Sequence, residues 1–201
     1  MLLTEIHREL DTVLDALIDE EQIVAIFQGE SEWGPRALGN RSIMFDPRHP
    51  NAKNIVNTVK MRESYRPFAC TVMLEHAEEY FEMLQLPESP WMSFAIQCKD
   101  KALKDIPTLV HADNTCRIQT VTEEQNPNYY NLIKGFYERT GVPIIFNTSF
   151  NLGGEAICET VFDAIDTCNR SMINHLYIPE DQDLYIPYEC IRDKSEYLPE
   201  D

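Results

Sequence analysis

Seven of the chain's 17 lysines and arginines fall between positions 36 and 66: Arg36, Arg41, Arg48, Lys53, Lys60, Arg62 and Arg66. Only Asp46 and Glu63 of the 34 carboxylates share that window. Seven cations against two carboxylates give the window +5, while ten cations against 32 carboxylates leave the remainder at −22. Mutual repulsion in so short a stretch is a cost that a bound anion would offset. Phosphate is the anion that arginine and lysine hold best.

Four segments carry polar groups that could handle such an anion. The first runs Gly29-Glu30-Ser31-Glu32-Trp33-Gly34-Pro35-Arg36-Ala37-Leu38-Gly39-Asn40-Arg41-Ser42 and spaces three of the seven glycines five residues apart. Glycines let backbone N–H groups approach an anion, and Arg36 and Arg41 can each offer planar, paired donors. The segment is neither a Walker A loop nor a GxGxxG fingerprint, and on composition alone it could be a surface loop with two solvated arginines. The second, Lys60-Met61-Arg62-Glu63-Ser64-Tyr65-Arg66-Pro67-Phe68, sets Lys60 and Arg66 about a helix-to-strand turn, where α/β proteins place ligand groups. A helix dipole accounts for two cations there and less readily for the third.

In the third segment, His111 to Thr120, Arg117 and Gln119 would share one strand face and could reach a phosphate or a base. The bland alternative is an exposed strand face. In the fourth, the apolar run Pro143-Ile144-Ile145-Phe146 delivers Asn147-Thr148-Ser149 at a strand end, with Asn151 close behind. Small amides and hydroxyls suit a planar carbamoyl or ureido group, or they simply close the strand with a turn. No Ser–His–Asp or Cys–His nucleophile pair is evident.

The elements that must position these groups alternate in type. Apolar spacing predicts an amphipathic helix over residues 4–20, strands over 23–27, 42–45, 68–74, 92–97, 117–121, 142–146 and 176–178, and helices over 51–62, 75–84, 126–138 and 162–169. A single helical turn is expected at residues 35–38. In the helix from 126, Tyr130, Ile133, Phe136 and Tyr137 would form the inward face. The reading is an α/β (α+β) domain around one mixed sheet, with residues 1–20 as a packing helix, 21–187 as the domain and 188–201 as a loose acidic tail.

The totals narrow the function classes. A net charge of −17 over 201 residues disfavours nucleic acid and anionic membranes, and leaves a compact anion such as a nucleotide as the ligand for the basic window. No apolar run is long enough to span a bilayer, and the acidic N-terminus is wrong for a signal peptide. Cys70, Cys98, Cys116, Cys158, Cys168 and Cys190 form no CxxC or metal spacing, so they read as reduced core residues of a cytoplasmic protein.

Taken together, EWGPRALGNRSI, KMRESYRPFA, HADNTCRIQTV and TGVPIIFNTSFN resemble the C-terminal domain of the NodU/CmcH O-carbamoyltransferases over about residues 20–180. The resemblance implies a YrdC-like fold and two-step chemistry. This domain would take ATP and carbamoyl phosphate and form a carbamoyl adenylate. A Kae1-like, metal-binding domain would then pass the carbamoyl group to a hydroxyl. It also implies that Arg36, Lys60, Arg66, Arg117 and Ser149 are the catalytic set, with Gly34, Arg41, Asn147, Thr148 and Asn151 binding nucleotide or carbamoyl. Mg2+ is expected with ATP, and no protein ligand is assigned to it.

The chain departs from the family pattern at several places. Glu30 stands where an arginine is usual, Asn114 for a glycine, Gly153 for an arginine, Ala156 for a proline and Cys70 for a proline. The match begins about 20 residues from Met1, so the Kae1-like half is expected on a separate partner chain. A non-catalytic nucleotide- or anion-binding relic of the domain is the alternative reading.

Overall fold

Eight strands form one mixed sheet in the order β1-β8-β2-β3-β7-β4-β6-β5. The computed structural model describes residues 5–173 and 175–179. The strands are β1 (Glu5–His7), β2 (Val24–Phe27), β3 (Arg41–Phe45), β4 (Ala69–Met73), β5 (Ala95–Gln97), β6 (Thr115–Val121), β7 (Ile144–Ser149) and β8 (His175–Tyr177). β8 runs parallel to both β1 and β2, and β4 runs parallel to β6. The other four neighbouring pairs are antiparallel. Every residue of β2, β3 and β4 is buried, as expected for central strands covered on both faces.

Among the described residues there are six helices, α1 (Leu10–Ile18), α2 (Ala52–Val59), α3 (Ala77–Tyr80), α4 (Asp100–Asp105), α5 (Pro127–Thr140) and α6 (Val161–Asn169), of which α1, α5 and α6 pack directly on strands. α5 shows why these residues form a helix with fixed ends. The Asn126 side chain accepts from the Tyr129 N–H, Pro127 opens the first turn, and Gly141 closes the helix at φ 76°. Its buried residues are Tyr129, Leu132, Ile133 and Phe136. The inward face is therefore turned by one residue from the expected one, and Tyr130 and Tyr137 are only partly buried. α6 starts with a capping box between Thr160 and Asp163.

The sequence pattern and the structure part company where tertiary pairing decides. Residues 4–20 are not one helix: residues 5–7 pair with β8 and the helix begins at Leu10. Residues 35–38 contain no helical turn. The expected helix at 75–84 is a 3-10 turn followed by the four residues of α3, stopped where Phe81 bridges to Cys98. α4 carried no periodic signal strong enough to be anticipated. β7 runs on through Asn147, Thr148 and Ser149, which were expected to follow the strand. Five cysteines are free and buried, as expected; Cys190 and the tail 188–201 lie outside the described residues. Among the described residues no helix is long and apolar enough to cross a membrane.

Candidate functional site

The extension of β7 creates the site. Met44, Asn147, Ala69, Arg117 and Ala95 lie in register across five neighbouring strands. Strand alternation puts Thr71, Gln119 and Ser149 on the same face as Asn147 and Arg117, and turns Thr148 to the opposite face beside Ile43. Thr148 is thereby separated from the other candidate residues. On the site face, Thr71 donates to Gln119 Oε1 at 2.8 Å, and Asn147 Nδ2 donates to Thr71 Oγ1 at 2.9 Å. This short buried network ties three strands together.

The glycine-spaced loop crosses this face. Asn147 Nδ2 also donates to Ala37 O at 3.2 Å, and Gln119 Nε2 donates to Leu38 O at 2.8 Å. Glu32 folds under the loop, where its Oε1 accepts from the N–H groups of Leu38 (2.7 Å), Asn40 (2.8 Å) and Arg41 (3.3 Å). The amides expected to face a ligand anion are thus turned toward an internal carboxylate. Arg41 is buried as well. Its guanidinium donates to Gln28 O (2.5 Å), Asn40 O (3.1 Å), Gly29 O (3.0 Å) and Glu159 O (3.1 Å), and stacks 3.6 Å from the Phe27 ring centre. Arg41 clamps the base of the loop and does not reach outward as a ligand donor.

Lys60 caps the C-terminal end of α2 and turns inward, only 2% exposed. Its Nζ donates to Ser149 O (2.5 Å), Asn151 O (2.8 Å) and Asn151 Oδ1 (2.9 Å), with Ser149 Oγ at 3.5 Å. Ser149 Oγ in turn donates to Asn151 Oδ1 at 2.6 Å. Burial first, and then the neighbouring Arg62, pull the Lys60 ammonium down to about 7. Met61, at φ 52°, lets the chain send Lys60 inward and Arg62 to the other side.

The outward cations are Arg36, Arg62, Arg66 and Arg117. Burial and then Arg36 lower the Arg117 pKa; burial, then Arg66 and Arg117, bring Arg62 down to about 10. Arg117 is thus within electrostatic reach of Arg36 and Arg62, and Arg62 of Arg66. Arg66 is matched by Glu63 at 2.8 Å, and Arg62 donates to Asn57 Oδ1 at 2.6 Å while lying over the Phe68 ring. The Arg117 guanidinium has no hydrogen-bond or ion-pair partner among the described residues, and its Nε is buried. A cavity of about 630 Å³ has Gly34, Ser149 and Asn151 in its wall, together with Glu32, Glu155 and Glu159. A second of about 570 Å³ is lined by Arg62, Arg66, Gly153 and Gly154.

The expected residues thus separate by geometry. Arg36, Arg66 and Arg117 form the cation cluster; Lys60, Ser149 and Asn151 form a hydrogen-bonded knot next to the larger cavity; Gly34 is on that cavity's rim. Asn147 and Arg41 hold the loop. Arg62 was missed, although its place two residues after Lys60 signalled it once the helix ended at Val59. Glu32 and Gln119 were missed as loop-holding groups, which side-chain type alone does not reveal.

The sequence matches the family described as carbamoyltransferase C-terminus over residues 15–182. The chain belongs to that family. Nodulation protein NolO of Bradyrhizobium diazoefficiens is 45% identical over 150 residues, covering 72% of this chain and 27% of the relative. The 3'-hydroxymethylcephem-O-carbamoyltransferase of Streptomyces clavuligerus is 31% identical over 172 residues, covering 86% of the chain and 32% of the relative. The carbamoyltransferase C-terminal region seen here spans about a quarter to a third of the length of these curated relatives.

Among solved structures, full-length HypF in its phosphate- and nucleotide-bound form aligns with a TM-score of 0.56 at 19% identity, covering 80% of this chain and 19% of HypF. P. abyssi Sua5 complexed with L-threonine aligns with a TM-score of 0.56 at 14% identity, covering 88% of this chain and 49% of Sua5. At these identities the likeness is one of fold, and it is the α/β, YrdC-like fold that the sequence motifs imply.

Proposed function

We propose that this carbamoyltransferase C-terminal domain binds ATP and carbamoyl phosphate and forms a carbamoyl adenylate. The observation that carries the reading is Arg117, a half-buried guanidinium with no protein acceptor, placed among Arg36, Arg62 and Arg66. Such a cluster is costly by itself and becomes favourable around a multiply charged phosphate ester. HypF, a relative in fold, was solved with phosphate and nucleotide bound, which supports a phosphate ligand on this scaffold.

The chemistry follows from that cluster. Hydrolysis of carbamoyl phosphate breaks its C–O–P link; water supplies the new oxygen, its proton goes to the products, and phosphate and carbamate result. A carbamate oxygen attacks the α-phosphorus of ATP, the bond to the β-phosphate oxygen breaks, and pyrophosphate leaves with the electron pair. Negative charge builds on phosphate oxygens, which Arg36, Arg62, Arg66 and Arg117 are placed to stabilise. Lys60 holds Ser149 and Asn151 in a fixed pose, so that their hydroxyl and amide can orient the planar carbamate. Mg2+ would enter with the nucleotide and neutralise its phosphates; the residues of this chain supply the arginines and the knot. A Kae1-like partner would then pass the carbamoyl group to a substrate hydroxyl.

The test is release of pyrophosphate from ATP that depends on carbamoyl phosphate, measured on the full chain alone and with a Kae1-like chain added. Arg117→Ala should abolish it. Nucleotide binding with no pyrophosphate under either condition would instead favour a binding module, for which Glu30 beside the loop gives a motive.

A further inference from the structure

The loop that carries Arg36 has almost no structure of its own. Between β2 and β3 it makes no helical turn, and its backbone is held to itself chiefly where the Gln28 N–H meets Asn40 O. Arg41, Gln28, Asn147 and Gln119 hold its carbonyls, and one side chain gathers its amides. Glu32 Oε1 gathers the N–H groups of Leu38, Asn40 and Arg41 to a single point, a nest of the sort that otherwise binds an external anion. The carbonyls of Ala37 and Leu38 are then turned down onto Asn147 and Gln119. Arg36 sits directly before this pinned stretch, so the pinning fixes where its exposed side chain leaves the loop, within electrostatic reach of Arg117.

We propose that Glu32 is the positioning residue of the anion site, its carboxylate acting as an internal anion that folds the loop and so delivers Arg36 to the Arg62–Arg66–Arg117 cluster. This rests on the anion-binding reading above and adds the group that preorganises it. A side chain that merely filled space would not need a charge. Here Oε1 accepts three amides at once, which ties the carboxylate to the loop and offsets the cost of Oε2, buried with no partner among the described residues. Glu32 also forms part of the wall of two cavities, that of about 630 Å³ beside Ser149 and one of about 330 Å³ beside Gln119 and Trp91.

The opposite role would be a plug: a carboxylate that occupies a nest meant for the ligand phosphate. The two roles predict opposite signs. A positioning carboxylate, once removed, weakens anion binding; a plug, once removed, strengthens it.

The experiment uses the full chain, inorganic phosphate as the probe in calorimetry, and amide hydrogen exchange. Glu32→Ala should release protection at Leu38, Asn40 and Arg41 while the strands stay protected, and weaken phosphate binding about tenfold. Glu32→Gln keeps an acceptor oxygen and should retain most protection and lose no more than about threefold. Because Glu32 works through Arg36, the double variant Glu32→Ala/Arg36→Ala should bind no more weakly than Arg36→Ala alone. Losses that multiply in the double variant, tighter binding by Glu32→Ala, or unchanged exchange at the three amides would each overturn the proposal. Failure of the wild-type chain to bind phosphate would overturn the site reading itself, while the exchange measurement would still show whether Glu32 shapes the loop.

Discussion

Lys60 shows two opposing effects at one atom. Burial and Arg62 favour the neutral amine, while Ser149 O, Asn151 O and Asn151 Oδ1 accept from the ammonium. With the folded value near 7 and the unfolded value at about 10.4, the unfolded chain holds more protons between those limits. Folding stability contributed by Lys60 therefore rises with pH across that window, and it falls as pH drops through 7. The urea-unfolding free energy of wild type minus that of Lys60→Met should climb from about pH 7.5 to about pH 9.5, by up to about 1.4 kcal/mol per pH unit. A flat difference would mean that the carbonyl oxygens keep the lysine charged. The sequence showed Lys60 as a cation beside a turn. It could not show the inward direction, because that depends on Met61 adopting φ 52° and on β7 ending at Ser149.

At the scale of elements, the loop between β2 and β3 fits only because Gly39 has no side chain. A Cβ there would stand 2.3 Å from Tyr129 Cδ1, at φ +114°. The Tyr129 ring cannot retreat easily, being fully buried with its hydroxyl donating to Thr71 Oγ1 at 3.1 Å. Gly39→Ala should therefore cost about 1–3 kcal/mol from overpacking and weaken phosphate binding as well. Gly141→Ala, at φ +76° with nothing near the new Cβ, should cost about 1–2 kcal/mol of left-handed strain and leave phosphate binding unchanged. Chemical denaturation paired with calorimetry separates the two.

The same loop marks what spacing alone could convey. Glycines five residues apart correctly announced a backbone under special demands. The demand at Gly39 is an aromatic ring 90 residues away in sequence, which no local pattern contains. Long apolar runs were legible for the opposite reason: the buried strands β2, β3 and β4 have no competing structure. Residues 5–7 and 75–84, whose state depends on partners distant in sequence, were not.

For the whole molecule, charge and topology set different expectations. The chain is strongly acidic, yet Arg62, Arg66 and Arg36 lie on the loops flanking the sheet within electrostatic reach of one another or of Arg117 on β6, while Arg48, Arg139 and Arg170 pair with carboxylates elsewhere. Duplex DNA should consequently show no measurable retention at moderate salt, while a nucleotide should bind. If transfer chemistry belongs to a Kae1-like partner, the chain alone should release pyrophosphate without carbamoylating any hydroxyl. Addition of that partner should restore carbamoyl transfer, measured as labelled carbamate appearing on an alcohol acceptor.

The pairing of β1 with β8 has a consequence for biosynthesis. Of these eight strands β1 is made first and has β8 as its neighbour in the sheet, some 170 residues later. Until β8 emerges, β1 waits unpaired and β2 offers an open edge on that side. A chain released early, after Arg170, would keep every arginine of the cluster and still leave that edge exposed. Such a product should aggregate before it could be assayed.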